Sequence, residues 1–388
     1  MNFELSPEQL EIRSAIERIC DRFGDDYWLK KDREGGFPAE LHQALASDGW
    51  LGIAMPEEFG GAGLGITEAA VMMQAIAQSG AGMQGASAVH MNIFGLHPVV
   101  KYGTDEQRRR FLPPLIAGKE KSCFAVTEPN TGLDTTRLKT KATREGNRYR
   151  VDGQKIWIST AQVADKVLLL ARTTDLDKVK KPTEGLSLFY TNLDRKYIEV
   201  REIEKMGRKS VDSNQVFIDG LPVPIEDRIG EEGMGFRYIL DGMNPERILI
   251  AAEAVGLGRV ALQKATQYAK DRIVFNRPIG QNQGIQHPLA KSWMNLEAAN
   301  LMVFKAASLF DTGKPCGVEA NAAKYLAGEA GFEACETAVL THGGMGYSKE
   351  FHVERYMREV MLCRIAPISR ELIMSNIAER QLGLPKSY

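Results

Sequence analysis

The spacing of apolar residues changes twice along the 388-residue chain, and these changes limit the folds that it can adopt. Up to about residue 120, apolar side chains recur every three or four positions, as on one face of an α-helix. From Lys121, short β-branched or alternating segments follow one another with turn residues between them. Beyond Gly233 the helical spacing returns. We therefore predict an α+β protein with an N-terminal helical domain (1–120), a central antiparallel β-barrel or sandwich (121–232) and a C-terminal four-helix bundle (233–388).

Local signals predict where several helices begin. Residues 6–9 and 104–107 read Ser-Pro-Glu-Gln and Thr-Asp-Glu-Gln, which are capping boxes typical of a helix N-terminus. Thr67 is expected to cap a further helix after the glycine-rich segment 59–65, which is compatible with a tight helix–helix turn or a phosphate-binding loop. Pro245 suits the first turn of a helix, because the N–H group that proline lacks would be unpaired there.

The C-terminal bundle is predicted to consist of long helices joined by short links, at residues 245–271, 281–312, 315–341 and 348–380. Gly256 and Gly258 lie inside the first of these helices, where glycines usually indicate that another element packs closely. In the central part, residues 145–147 and 152–153 are expected to form turns. The expected strands span residues 122–127, 139–143, 148–151, 156–159, 167–171, 186–190 and 214–218.

Charge and cysteine content exclude several classes of function. The formal net charge is −1 and the sequence pI is about 6.6, which argues against nucleic acid or a membrane surface as the main partner. The chain has 5 cysteines without paired spacing, so we expect reduced thiols, no metal site and a cytoplasmic location. No apolar run is long enough to span a membrane, and the first residues do not have the pattern of a signal or transit peptide.

Two glutamates on the first predicted bundle helix are candidates for chemistry. Glu246 and Glu253 are seven positions apart, so they share one helix face with Leu249, Ile250 and Leu257. Carboxylates on an apolar stripe have two interpretations. Either they are exposed side chains at frayed turns, or one of them points into a dry site where burial adapts it for proton transfer.

Four segments resemble motifs of the acyl-CoA dehydrogenase family, in the family's order and at matching intervals. CFAVTEPNTGLD at 123–134 resembles TEPxAGSD, and KIWIST at 155–160 resembles KxWIT. RIVFNRPI at 272–279 resembles RxxFGxPI, and Gln283 follows at the family's glutamine. THGGMGY at 341–347 resembles QxxGGxGY. The resemblance covers essentially the whole chain.

This resemblance implies non-covalent FAD as the cofactor, because the family binds its flavin through these motifs. Arg272, Phe275 and Gln283 are expected to reach the FAD of a neighbouring subunit, which implies a homo-oligomer, by the family's habit a tetramer. Trp157 offers a plane beside the flavin ring, and Arg272 a guanidinium for the pyrophosphate. The expected cofactor-binding residues are Phe124, Val126, Thr127, Gly132, Leu133, Trp157, Ile158, Ser159, Arg272, Phe275, Gln283, Thr341, Gly343, Gly344 and Ser369.

The resemblance also identifies the catalytic base. Most family members carry it as a glutamate near the C-terminus, but here that position is Pro367. Members resembling isovaleryl-CoA and long-chain dehydrogenases carry it on the bundle helix instead, where this chain has Glu246. Glu246 is therefore the predicted base, with Glu253 as an outside candidate. Leu133, Asn244 and Arg247 are the expected substrate-binding residues.

The implied reaction is α,β-dehydrogenation of an acyl-CoA thioester to the 2-enoyl-CoA. Electrons would pass to an electron-transferring flavoprotein. Two alternatives remain: a flavin oxidase or monooxygenase of the same fold, as in nitroalkane oxidation, and a non-catalytic flavin-binding homologue. The sequence does not specify the length or branching of the acyl chain.

Overall fold

The computed structural model describes residues 3–387 and begins with a helical region. The capping boxes at Ser6 and Thr104 are confirmed, since each side chain accepts a hydrogen bond from the backbone three residues on. The N-terminal helices are α1 (Pro7–Cys20), α2 (Asp25–Glu34), α3 (Ala39–Ser47), α4 (Ile66–Ile76), α5 (Gly82–Phe94), α6 (His97–Tyr102) and α7 (Asp105–Ile116).

The start of α4 differs from the sequence prediction. The helix begins at Ile66, and Thr67 is already in its first turn. The Asp311 carboxylate accepts hydrogen bonds from the backbone N–H groups of Ile66 (2.7 Å) and Thr67 (2.8 Å). Thr67 was therefore the wrong cap. The acceptor comes from a residue 245 positions away in sequence, which local pattern cannot identify.

The central region is one sheet of eight strands: β1 (Ser122–Ala125), β2 (Lys141–Glu145), β3 (Arg148–Ser159), β4 (Lys166–Arg172), β5 (Leu186–Asn192), β6 (Ile198–Glu202), β7 (Ser213–Pro224) and β8 (Arg228–Ile229). Their order is β6-β7-β3-β2-β4-β5-β8, with β1 paired to β4. Most neighbouring strands are antiparallel, as predicted, but β1 and β2 run parallel to β4.

Two predictions within the sheet were wrong. Residues 148–151 and 156–159 belong to the single strand β3, and the expected turn at Asp152-Gly153 is a shift of register within it. A Cβ on Gly153 would come within 2.4 Å of Thr140 Oγ1, so this glycine permits a close approach and does not reverse the chain. Strand β6 was not predicted.

The C-terminal region is helical and is built around the 37-residue helix α8 (Gly235–Asp271). A hairpin of β9 (Ile273–Val274) and β10 (Arg277–Pro278) connects it to the next helix. The remaining helices are α9 (Gln283–Asp311), α10 (Gly317–His342), α11 (Val353–Val360), α12 (Leu362–Ile365) and α13 (Arg370–Arg380).

Two helix boundaries in this region also differ from the prediction. Helix α8 begins ten residues before Pro245, which lies inside it. The added turns are packed, since Tyr238 contacts Tyr102 of α6, and such packing stabilises a helix. The predicted helix 348–380 is divided into α11, α12 and α13. His352 has a left-handed backbone (φ 62°) before α11, and Pro367 lies between α12 and α13.

Helix α8 is the centre of the main hydrophobic core. A Cβ on Gly256 would lie 2.3 Å from the carbonyl oxygen of Gln74, and one on Gly258 would lie 3.1 Å from Cα of Gly331. The close packing expected at these glycines is thus confirmed. Alternate residues of β4 and β5 join this core, and the others form a second core inside the β-region.

Candidate active site

Glu246 and Glu253 lie on one face of α8 and are both buried, with 8% and 0% of their surface exposed. The interpretation as exposed side chains at frayed turns is therefore wrong. Both carboxylates contact one side chain, His90 of α5: the His90 Nε2 atom lies 2.5 Å from Glu246 Oε2, and Nδ1 is hydrogen-bonded to Glu253 Oε1.

The hydrogen bonds of this cluster indicate the charge on His90. Both ring nitrogens face a carboxylate oxygen, and only an imidazolium can donate from both. Burial acts to lower the pKa of His90, but Glu253 and Glu246 outweigh it and raise the pKa to about 10. At neutral pH His90 is therefore a cation held between the two glutamate side chains.

Each carboxylate of the cluster has one oxygen outside these hydrogen bonds. Glu253 Oε2 is buried and has no hydrogen-bond partner. No described residue (3–387) donates to Oε1 of Glu246. Glu246 is also the more exposed of the two residues, so it is the more accessible to a ligand.

Helix α5 connects this cluster to the segments predicted to bind the cofactor. The Phe94 ring lies 4.8 Å from the His90 ring and 5.4 Å from the ring of Phe124 in β1. One turn away, Ser87 accepts a hydrogen bond from Arg208 (2.8 Å), whose other terminal nitrogen donates to Ser159 (3.3 Å). Burial lowers the pKa of Arg208, and the charge of Glu253 acts against that shift.

A buried ion pair holds two of the motif segments together. Lys155 Nζ lies 3.0 Å from both the carbonyl oxygen of Val126 and Oε1 of Glu128. Burial lowers the pKa of Lys155 to about 8, while Glu128 favours the charged form. The backbone N–H of Ile156 also donates to the carbonyl of Thr127 (2.9 Å). These contacts fix the position of Thr127 beside strand β3.

The residues around Trp157 fit a flat, polar ring system. Trp157 is 57% exposed, and its backbone is left-handed (φ 61°) at an irregularity of β3. The side chain of Ile158 is buried in the β-core, so Ile158 could offer only backbone groups. The buried hydroxyl of Thr131 has no hydrogen-bond partner, and Leu133 is 62% exposed. An exposed indole on a left-handed backbone and an unpaired buried hydroxyl are features that a flavin site can use.

A second group of predicted cofactor residues lies far from Glu246. Arg272 follows it by 26 residues along α8, about 39 Å at 1.5 Å per residue. Phe275, in the turn of the β9–β10 hairpin, is 94% exposed, and Gln283 is exposed at the start of α9. A Cβ on Gly343 or Gly344 would meet nothing within 4 Å. This end of α8 could serve a cofactor held by another subunit.

The hydroxyl groups of two other predicted cofactor residues form hydrogen bonds within the protein. Thr341 donates to the carbonyl of Thr337 (2.7 Å), and Ser369 caps α13 by accepting from the N–H of Leu372 (3.2 Å). Pro367 is followed by Ile368, whose carbonyl accepts from Lys324 (2.7 Å). Burial lowers the pKa of Lys324 to about 8.

The predicted substrate residues Asn244 and Arg247 lie together at the same turn of α8 as Glu246. Arg247 Nη1 donates to Asn244 Oδ1 (2.9 Å), and the buried Nε atom of Arg247 has no partner. Arg247 also lines a cavity of about 470 Å³, together with Asn321 and Ile368. A spare donor beside a cavity can bind a polar group of a ligand.

Sequence reasoning missed His90, Phe94, Arg208 and the Lys155–Glu128 pair. His90 had one visible signal, since it is the only ionisable residue in the mainly apolar run of residues 86–94. Arg208 and Lys155 had none, because a charged residue in an irregular segment or a strand is usually exposed.

Family models match all three regions of the chain. The model described as "Acyl-CoA dehydrogenase, N-terminal domain" matches residues 6–119, the middle domain 123–221 and the C-terminal domain 233–382. This chain belongs to the acyl-CoA dehydrogenase family. It is accordingly an oxidoreductase that acts on acyl-CoA, in a family of FAD enzymes. Within residues 3–387, no helix has both the length and the hydrophobicity of a membrane span.

Named relatives align with most or all of this chain. The acyl-CoA dehydrogenase FadE12 of Mycobacterium tuberculosis is 36% identical over 100% of this chain and 99% of its own length. The caffeyl-CoA reductase-Etf complex subunit CarC of Acetobacterium woodii is 34% identical over 87% of each chain. The structure of a glutaryl-coenzyme A dehydrogenase complex superimposes with a TM-score of 0.94 at 29% identity, over 100% of this chain and 98% of that one.

Proposed function

We propose that this acyl-CoA dehydrogenase converts an acyl-CoA thioester to the 2-enoyl-CoA, with Glu246 as the base. The observation that carries the proposal is the Glu246 carboxylate, which is buried, is held through Oε2 and keeps Oε1 without a hydrogen bond from residues 3–387. Pro367, at the position where most of the family carries its base, cannot accept a proton.

The proposed role of Glu246 is to take the α-proton of the thioester on Oε1. A thioester α-proton is weakly acidic, so the developing enolate oxygen must receive hydrogen bonds for the transfer to proceed. Asn244 and the unpaired Nε of Arg247 lie at the same turn of α8 and can orient the thioester end of the substrate. Leu133, exposed on the 126–134 segment, would contact the substrate from the β-region.

The proposed cofactor is FAD, which when bound supplies the two-electron acceptor of the reaction. Trp157 would cover one side of its ring, while Thr127 and the neighbouring backbone, from Phe124 to Gly132, would bind its polar edge. The Lys155–Glu128 pair supports this assignment, because it keeps Thr127 against β3. We expect purified protein to be yellow, with about one FAD per chain.

Arg272, Phe275 and Gln283 are proposed to bind the FAD of a neighbouring subunit, with Gly343 and Gly344 allowing a close approach. The exposure of Phe275 and the length of α8 between Arg272 and Glu246 support this arrangement. The active unit is then at least a dimer, and we propose a tetramer. A monomer that keeps full activity in light scattering at micromolar concentration would exclude it.

The proposed electron acceptor is an electron-transferring flavoprotein, as the name of the relative CarC suggests for that protein. An oxidase of the same fold would behave differently. Flavin bleached by acyl-CoA without oxygen should be reoxidised slowly in air for a dehydrogenase and rapidly for an oxidase.

The base is tested with Glu246→Gln, which preserves shape but cannot accept a proton. Stopped-flow flavin reduction by the best of butyryl-, isovaleryl-, octanoyl- and cyclohexanecarboxyl-CoA should slow by about 10³-fold or more. FAD content and acyl-CoA binding should be unchanged. The companion variant Glu246→Gln/Pro367→Glu tests whether the usual position can replace the base. Reduction of Glu246→Gln at the wild-type rate would refute the proposal, and loss of reduction in Glu253→Gln alone would transfer the role to Glu253.

A further inference from the structure

We infer that His90 and Glu253 are positioning residues for the base: the imidazolium orients Glu246 and keeps it ionised, and Glu253 offsets the positive charge. This inference rests on the proposed role of Glu246. It assigns a function to two buried ionisable groups that the proposed reaction does not itself consume.

The geometry leaves the His90 ring one orientation. Its Nε2 atom is hydrogen-bonded to Glu246 Oε2 at 2.5 Å, its Nδ1 atom is hydrogen-bonded to Glu253 Oε1, and its ring packs at a tilt against Phe94. Rotation of the ring would break both hydrogen bonds and leave buried polar groups unpaired, which is costly. The ring therefore fixes which oxygen of Glu246 is occupied and which is free.

The charges of the cluster explain why two carboxylates are needed. A cation beside a carboxylate stabilises its ionised form, but it also makes the carboxylate a weaker acceptor of protons. With Glu253 on the far side of the ring, the His90–Glu253 pair is neutral overall. Glu246 then keeps a fixed hydrogen-bond donor without the full field of an uncompensated imidazolium.

Arg247 of α8 interacts electrostatically with Glu246, and other ionisable groups lie on the elements packed around α5. Arg208 lies on the Ser87 side, and its charge interacts with Glu253. Glu359 of α11 accepts hydrogen bonds from the N-terminus of α5 and is paired with Arg355. Burial raises the pKa of the Cys363 thiol in α12 to about 12, so that this thiol stays neutral. None of these groups replaces Glu253 as the partner of Nδ1.

The two variants His90→Gln and Glu253→Gln should shift the pH profile of flavin reduction in opposite directions. Without the imidazolium, the buried Glu246 beside Glu253 is protonated more readily. The acid limb is the part of the pH profile where the limiting rate of flavin reduction falls as pH decreases. It should then move to higher pH by about one unit, so that the rate below the limb is about tenfold lower. Without Glu253, the acid limb should move to lower pH and the plateau rate should fall. The rates are measured with the holoenzyme and the best acyl-CoA of the panel named above.

A second histidine variant separates charge from shape. In His90→Gln the side-chain amide replaces the hydrogen-bond donor toward Glu246, and in His90→Asn it replaces the donor toward Glu253. Both amide side chains are neutral. If charge decides, His90→Gln and His90→Asn both raise the acid limb; a wild-type limb in His90→Gln would overturn the inference. Shifts in the same direction for the His90 and Glu253 variants would also overturn it, because a purely structural defect has no reason to reverse sign.

The outcome is distinguishable from failure of the proposed function. If Glu246→Gln reduces flavin at the wild-type rate, Glu246 is not the base, and shifts of the acid limb do not report on its protonation. If Glu246→Gln is inactive and the limbs of the other variants coincide with the wild-type limb, only the positioning role is wrong. Glu253→Asp keeps the charge, so its acid limb should lie close to the wild-type position. The flavin content and thermal midpoint of each variant show whether it is folded. One folded variant whose acid limb does not shift as expected is sufficient to contradict the inference.

Discussion

Two buried ionic clusters hold α5 against the bundle, and they differ in whether both oxygens of each carboxylate accept hydrogen bonds. At the N-terminus of α5, Glu359 Oε2 accepts from the N–H groups of Met83 (2.8 Å) and Gln84 (3.3 Å), and Oε1 accepts from Arg355 (3.1 Å). Two turns further along α5, His90 lies between Glu246 and Glu253. Both clusters are buried and both join α5 to later helices.

The difference lies in the second oxygen of each carboxylate. Both oxygens of Glu359 are occupied, so this group caps a helix and neutralises Arg355. Glu246 and Glu253 each have one oxygen without a hydrogen bond from residues 3–387. A carboxylate whose oxygens both accept hydrogen bonds is less available to a proton than one with a free oxygen. The comparison therefore shows which buried carboxylates are available for the proposed chemistry.

The largest expected effect on stability is from Glu359→Gln. Removing one partner of a buried pair leaves Arg355 uncompensated, which should cost about 3 kcal/mol of unfolding free energy. Thermal or denaturant unfolding of the holoenzyme measures it. The matched control is Glu17→Gln, since Arg13 and Glu17 form an exposed pair at the same helical spacing. We expect no measurable shift for the control; equal shifts would contradict the structural role of Glu359.

An effect that depends on pH, and is smaller for each pH unit, is expected from His90. Burial lowers the pKa of His90, but the two glutamates raise it above its ordinary 6.5 to about 10, so its stabilising contribution is complete below pH 6.5 and is lost as pH rises through 10. Between those values the stability should fall by about 1.4 kcal/mol per pH unit relative to His90→Gln. Thermal midpoints of both proteins from about pH 7 to about pH 9.5 test this. Parallel curves would show that His90 does not carry the extra proton.

The smallest effect is expected from Ser87→Ala, between the two clusters on α5. The change removes the Arg208–Ser87 hydrogen bond but leaves the one to Ser159, so unfolding free energy should fall by about 1 kcal/mol. The acid limb of flavin reduction should stay in place, because Ser87 does not contact the His90 ring. A shift of that limb as large as in His90→Gln would mean that Arg208 also sets the protonation of Glu246.

The sequence by itself determined the order of the three regions, the capping boxes at Ser6 and Thr104, and the common helix face of Glu246 and Glu253. Each of these depends on residues close together in the chain, whose spacing sets which side chains share a face or a cap. The motifs that resemble the acyl-CoA dehydrogenase family also lie in short continuous segments. Family membership could therefore be predicted, and all three matching domains confirm it.

Only the tertiary structure decided which partners surround those residues. His90 meets Glu246 and Glu253 from 156 and 163 positions away, and Asp311 caps α4 from 245 positions away. The start of α8 at Gly235 and the division of the last predicted helix depend in the same way on packing against other elements. Side-chain periodicity reports which face of a helix is buried, but it carries no information about what that face meets. The charge of a buried group is set by its neighbours in space, so the protonation of His90 could be read only after the chain had folded around it.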